Sequence, residues 1–237
     1  MTAPPSAAEV RPIILALAPP APGIVGAAPT PGLEPLGGSL LVDRLLGTAR
    51  DLGLPSPLVI TRTDAAEPLR RAVSGRAAVH EVAAGRREAL ATALEHSDEP
   101  FLLVHDAERA LTPAAVVSAV LAALAPGVDA VVPTVAMTDS VKQIAPSGLR
   151  NVDRSTLAAL QSPRLLRREA LAGAVADAPS AGFDEIQALL DRGAAVRTVQ
   201  GSHAGTALVD RLTLWQAQIS LGLARDTSHR HGLARRP

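Results

Sequence analysis

The chain has no cysteine. That excludes disulfides, thiolate metal sites and a cysteine nucleophile, and it suits a reducing, cytoplasmic compartment. Lysine is nearly absent as well. The 23 basic residues are 22 arginines and the single Lys142, so any chemistry that needs a lysine before residue 142 is ruled out. Aromatic residues are confined to Phe101, Phe183 and Trp215, too few for the stacking platforms that hold single-stranded nucleic acid. The charges cancel, 23 acidic against 23 basic, which leaves no electrostatic footprint for bulk nucleic-acid binding. No apolar run approaches the roughly 20 residues of a membrane span. Residues 11–28 could pass for a secretion signal, but they contain one arginine and four prolines and follow Glu9 closely. A buried first strand followed by a loop is the better reading of that segment.

What remains is enough for one α/β domain. A chain of 237 residues buries about 70–75% of its unfolded surface without staples. The apolar runs alternate in period. Ile13 to Ala18, Pro57 to Thr61, Ala77 to Val82, Phe101 to His105, Asp129 to Val135 and Ala195 to Val199 read as short buried strands. Between them, helices are expected over 40–52 with Ser39 as cap, over 64–73, over 86–96 opened by Gly85, and from Thr112-Pro113 to Ala125. Further helices are expected from Ser162-Pro163 to about 177, over 183–192 and over 210–224, and Val141–Ile144 with Leu149–Val152 reads as a hairpin. Residues 19–38 are rich in proline and glycine and read as a long loop. Residues 1–10 are expected to be a disordered leader, 11–225 one domain, and 226–237 a basic, mobile tail. Alternating strands and helices predict a mostly parallel sheet covered on both faces, with ligands beyond the carboxyl ends of its strands.

Four segments carry candidate chemistry. Val104-His105-Asp106-Ala107-Glu108-Arg109 delivers a carboxylate and a guanidinium at a strand's carboxyl end. A carboxylate there can face Mg²⁺ on nucleotide phosphates, and an arginine fork suits phosphate; equally, the acid could only cap the following turn. Next come Pro133 through Asp139-Ser140-Val141-Lys142, then Arg154-Ser155-Thr156-Leu157 leading to Gln161-Ser162-Pro163-Arg164, then Phe183-Asp184-Glu185. Asp184-Glu185 could equally be a first-turn pair favoured by the helix dipole. His80, His96 and His203 stand isolated in sequence and read as surface or core residues. No Gly-x-Gly-x-x-Gly follows the first strand, which argues against a nicotinamide-binding dehydrogenase.

In order and spacing these segments resemble the methylerythritol phosphate cytidylyltransferases, with the related ribitol phosphate cytidylyltransferases. That family shows His-Asp-Ala-Ala-Arg, then Asp-Thr-x-Lys, then Arg-x-x-Leu-x-x-x-Gln-Thr-Pro-Gln, then Thr-Asp-Asp/Glu. Leu36-Gly37-Gly38-Ser39-Leu40-Leu41 resembles its Leu-x-Gly-x-x-Leu. The resemblance implies a Rossmann-like, three-layer nucleotidyltransferase fold of the glycosyltransferase-A type. It implies transfer of CMP from CTP to a sugar or polyol phosphate, in isoprenoid precursor synthesis. Asp106 would face Mg²⁺ and the CTP phosphates. Arg109, Ser140, Arg154 and Ser162 would surround the polyol phosphate, with Arg154 on its phosphate. Gly85 and Arg86 match the family's nucleotide-contacting Gly-x-x-Arg-x-x-Ser segment loosely, with Ala89 in place of the serine. Residues 138–160 would form a protruding β-arm that interlocks two subunits of a homodimer.

The family's opening Gly-rich loop, with its arginine and lysine, has no counterpart. Leu17-Ala18-Pro19-Pro20-Ala21-Pro22-Gly23 stands in its place, and prolines have no N–H to offer a phosphate. No arginine lies between Arg11 and Arg44, and Gly201 to Val209 lacks the family's second lysine. Two expectations therefore stand side by side: an active cytidylyltransferase in which Arg44 or Arg62 substitutes for the lost cations, or a catalytically impaired paralogue that acts as a binding or dimerisation partner.

Overall fold

A computed structural model describes residues 5–83 and 85–223. Eight strands make one sheet in the order β5-β4-β1-β6-β11-β7, with β10 continuing beside β7 and β12 on its other edge. The parallel part comprises β1 (Val10–Ala16), β4 (Leu58–Arg62), β5 (Ala78–Val82) and β6 (Phe101–Asp106), and separately β7 (Ala130–Ala136) with β12 (Val196–Gln200). β10 (Ala158–Leu160) and β11 (Arg164–Arg167) run antiparallel to β7, and β11 also to β6. Two short ribbons stand apart, β2 (Pro35–Leu36) with β3 (Ser39–Leu40), and the hairpin β8 (Val141–Ala145) with β9 (Gly148–Val152).

β1 is apolar on both faces because it is covered on both. Ile13 and Leu15 pack with Leu102, Val104 and Leu166 under α3 (Arg86–Glu95), α5 (Arg168–Asp177) and α6 (Glu185–Asp191). Ile14 and Ala16 pack under α1 (Leu41–Asp51), α2 (Thr63–Val73) and α7 (Arg211–Ser220). On this second face α4 (Ala114–Ala122) covers Leu103, Val131 and Leu165. Each fully buried leucine or isoleucine contributes about 1.5–3 kcal/mol. The three-layer architecture expected from the sequence is thus present. Among the described residues, no helix is long and apolar enough to cross a membrane.

Several boundaries differ from the sequence reading. β1 begins at Val10, with Ala7–Glu9 in a 3-10 turn. Pro12 is tolerated in this inner strand because the pairing with β4 begins only at Ile13, so its missing N–H interrupts no ladder there. Ser39 does not cap α1; it belongs to β3, and the cap is Leu40, whose N–H donates to the Asp43 carboxylate at 3.2 Å. The expected helix after Ser162-Pro163 starts only at Arg168. Arg164–Arg167 is instead a strand whose Leu165 and Leu166 are buried on opposite faces. Residues 224–237, including the expected tail, lie outside the described residues.

Strand order fixes where the site must be. From β1 the chain winds outward to β4 and β5, then returns to place β6 on the other side of β1. The crevice at the carboxyl ends of β1 and β6 is the switch point of the parallel strands.

Candidate active site

β6 ends at that crevice on Asp106, and the turn Ala107–Arg109 carries the chain away. The neighbouring elements converge there. Gly85 is the N-cap of α3, which puts Arg86 in the first helical position. Asp184 caps α6, accepting from the N–H groups of Ile186 and Gln187 at 3.0 Å each, and so delivers Glu185. Arg164 on β11 lies opposite Val104 of β6, on the same face of the sheet as Asp106.

These side chains form one buried charge cluster. Arg86 donates through Nη1 to Asp106 Oδ1 at 2.5 Å, and through Nε and Nη2 to Glu185 Oε2 and Oε1 at 2.6 and 2.7 Å. Arg164 Nη1 lies 2.9 Å from both Asp184 Oδ2 and Glu185 Oε1. Glu185 is 0% exposed. Burial raises the pKa of Asp106, but the charge and hydrogen bond of Arg86 outweigh it and hold the carboxyl below its ordinary value. Burial likewise opposes the charge on Arg86, and Glu185 first, then Asp106, more than compensate, so its pKa is raised. The Asp106 N–H donates to Ser162 Oγ at 3.1 Å. Arg109 donates to Gly205 O at 2.7 Å, which pins the segment after β12 over the site.

Glu108 sits beside this cluster without an arginine of its own. Burial, then the nearby Asp106 charge, pushes its carboxyl up to about 7. His105 points the other way, between α1 and α4, with Nε2 3.3 Å from Arg109 O. Burial drives its pKa down to about 4, so it is a neutral core residue at physiological pH. Elsewhere, the rings of His80 and His96, separate in sequence, lie 4.0 Å apart.

The expected site residues therefore divide. Gly85, Arg86, Asp106, Arg109 and Ser162 come together. Ser140 and Arg154 do not: they line a cavity of about 440 Å³ at the base of the hairpin with Asn151, Val152 and Asp153. Arg154 donates to Thr138 O at 2.5 Å, and among the described residues no hydrogen bond or ion pair joins either residue to the Asp106 cluster. Sequence reading missed the role of Glu185 and Arg164. The signal was the Asp-Glu pair at a helix start together with the one arginine inside Gln161-Ser162-Pro163-Arg164.

The loop after β1 bears on the expected substitute cations, Arg44 and Arg62. Arg62, at the end of β4, turns into that loop. Its Nη1 donates to Leu17 O and Ala18 O at 2.9 and 2.6 Å, and its Nη2 to Pro29 O and Asp64 Oδ2 at 2.8 and 2.9 Å. Arg44 donates to Leu36 O at 2.6 Å. Arg62 is thus held by three backbone carbonyls and Asp64, and Arg44 by one carbonyl. A phosphate loop turns N–H groups inward; this loop turns carbonyls inward onto a cation.

The residues present do not make a resident Mg²⁺ site. Among the described residues no group of three histidine or acidic side chains is arranged to hold a metal ion. Arg86 takes Asp106 Oδ1, which leaves one carboxylate oxygen, whereas Mg²⁺ wants about six oxygens and draws most of them from water and substrate phosphates. An ion here would come with the nucleotide.

Comparison with known proteins places this fold in a family. The family model described as IspD, 2-C-methyl-D-erythritol 4-phosphate cytidylyltransferase, matches residues 37–223 and so excludes β1 and the loop that follows it. The 2-C-methyl-D-erythritol 4-phosphate cytidylyltransferase of Saccharopolyspora erythraea is 33% identical over 188 residues, covering 75% of this chain and 84% of its own. That of Frankia casuarinae is 32% identical over 187 residues, covering 76% and 69%. The crystal structure of the Thermus thermophilus enzyme superposes with a TM-score of 0.71 at 25% identity, over 89% of this chain and 98% of that one. The 4-diphosphocytidyl-2C-methyl-D-erythritol synthase of Anaerococcus prevotii shares the fold, with a TM-score of 0.76 at 17% identity over 91% and 97%.

Proposed function

The chain belongs to the 2-C-methyl-D-erythritol 4-phosphate cytidylyltransferase family, and from that premise we propose that it binds CTP and a polyol phosphate but transfers the cytidylyl group slowly. Its function is of the cytidylyltransferase type, within isoprenoid precursor synthesis. In the reaction proposed, a phosphate oxygen of the polyol phosphate attacks the α-phosphorus of CTP. The bond from that phosphorus to the bridging oxygen breaks, and pyrophosphate leaves.

The residues divide the work. Arg154 and Ser140, in the arm cavity, take the polyol phosphate, with Arg109 and Ser162 on the core side. Gly85 and Arg86 face the nucleotide, and Asp106 offers one oxygen to an ion carried on its phosphates. Arg154 and Ser140 lie apart from Asp106 within one chain, so we assign them to the site of a second copy, across a homodimer joined through the arm. Ile144 and Leu149 support this: they are cross-strand neighbours at the hairpin tip, 86% and 73% exposed, an apolar pair suited to burial against a partner. A cysteine-free chain of this kind suits the cytoplasm.

The observation that carries the reading of slow transfer is Arg62. The charge that neutralises a triphosphate must be preorganised where the phosphates lie. Here the loop after β1 offers prolines and carbonyls, and the Arg62 guanidinium is held within it by three of those carbonyls. Losing one preorganised donor costs about 10²–10³ in rate, and losing two independent ones about 10⁴–10⁶. The test is pyrophosphate release at high protein concentration from CTP, Mg²⁺ and 2-C-methyl-D-erythritol 4-phosphate, beside a calorimetric titration with CTP. Expected are measurable CTP binding and a slow release lost in Asp106→Ala. Turnover near the median enzyme's ~10 s⁻¹, or no CTP binding, would overturn the proposal.

A further inference from the structure

Arg164 is the one guanidinium of the charge cluster to which the proposed function gives no task. It is 8% exposed. Its Nε is buried without a hydrogen-bond partner. Burying a guanidinium so incompletely paired is costly. Glu185 already receives two hydrogen bonds from Arg86, and Asp184 already caps α6 through two backbone N–H groups. Arg164 adds a second arginine to Glu185 and, among the described residues, is the one arginine ion-paired with Asp184.

What Arg164 alters is the sum. Three carboxylates, Asp106, Asp184 and Glu185, face two guanidinium groups; without Arg164 they would face one. Its charge is felt at both Asp106 and Arg109. Electrostatic interactions of this kind persist over many ångströms in a poorly solvated region, so a cation need not touch a phosphate to favour it.

We propose that Arg164 is an electrostatic positioning residue of the nucleotide site, supplying from β11, on the same face of the sheet as Asp106, part of the positive charge that the loop after β1 lacks. This rests on the reading that CTP binds at the carboxyl ends of β1 and β6. The requirement grows with the number of phosphates: cytidine is indifferent to the charge at position 164, CMP responds modestly and CTP most.

The experiment is calorimetric titration of the parent chain, Arg164→Gln and Arg164→Lys with cytidine, CMP and CTP, all with Mg²⁺, at low and moderate salt. Glutamine stands at this place in the family motif, and lysine keeps the charge if glutamine is not tolerated. Expected is that Arg164→Gln weakens CTP on the order of ten-fold at low salt, less at moderate salt, and moves cytidine by less than about two-fold. Arg164→Lys should recover most of the CTP affinity. Equal losses for all three ligands would show a merely structural residue and overturn the proposal, as would unchanged CTP binding in Arg164→Gln. A parent that binds CTP while the variants behave alike refutes this inference alone; a parent that does not bind CTP refutes it together with the function it rests on.

Discussion

Two neighbouring groups on the β6 turn titrate in opposite senses, and their effects on stability should nearly cancel until one is removed. His105 has its pKa driven from 6.5 down to about 4 by burial. A depressed histidine contributes stability above pH 6.5, which is lost as pH falls toward 4, because the unfolded chain takes a proton the core refuses. Glu108 has its pKa pushed from 4.5 up to about 7, by burial first and the Asp106 charge second. A raised carboxyl contributes stability below pH 4.5, which is lost as pH rises through 7. At about 1.4 kcal/mol per pH unit of displacement each group is worth about 3 kcal/mol, and the two windows overlap between pH 4.5 and 6.5. The parent chain should therefore show a shallow profile there in urea denaturation. His105→Gln should grow more stable, by up to about 3 kcal/mol, as pH falls from 7 to 4.5. Glu108→Gln should lose a similar amount over the same interval. Each slope is read within one variant, so a uniform loss from repacking does not disturb it. Parallel profiles for the parent and both variants would refute the reasoning, because they would mean that neither group changes its proton affinity on folding.

Three further outcomes are expected. Arg62→Met should cost about 2–4 kcal/mol in urea denaturation, mostly from three carbonyls losing a charged donor; the Asp64 pair, whose acid is 62% exposed, adds little. A loss under about 0.5 kcal/mol, typical of an ordinary surface change, would show that the loop does not depend on that clamp. Ile144→Asp with Leu149→Asp should shift a dimer to monomer in sedimentation while leaving the unfolding midpoint of the core unchanged, and a dimer that persists would count against the arm as the interface. Glu185→Leu should destabilise by about 3–5 kcal/mol, since it leaves Arg86 and Arg164 facing each other without their shared carboxylate, and a cost below about 1 kcal/mol in the same denaturation assay would mean that the cluster is not tightly coupled.

Much of the fold was legible because apolar periodicity reports burial directly. The strands at Phe101–Asp106 and Leu58–Arg62 and the hairpin at Val141–Val152 lie close to where the alternation placed them. β11 was not legible. Arg164-Leu165-Leu166-Arg167 follows a proline and precedes a helical stretch, so local pattern favours a helix start. Only pairing between β6 and β7, with one leucine on each face, makes it a strand, and that is a tertiary fact. β10 fails for a related reason: Ala158-Ala159-Leu160 has no strand preference of its own and is held by β7 alone.

The site was legible as an inventory of residues and not as a distribution of free charge. A chain with 22 arginines looks able to replace two lysines. The structure shows what four of the nearby guanidinium groups already do. Arg62 and Arg44 hold carbonyls, Arg86 is divided between Asp106 and Glu185, and Arg164 is buried behind them. The prolines at 19, 20 and 22 belong to the same physical choice. Proline removes a donor and keeps an acceptor, so a loop enriched in it is biased toward cradling a cation rather than an anion. Once that polarity is set, adding arginines elsewhere in the loop would bring more guanidinium groups to the carbonyls before any reached a phosphate. On the reading of slow transfer, strengthening a triphosphate grip at this place would therefore require inward N–H groups first, with glycine in place of proline, and new charge only after that.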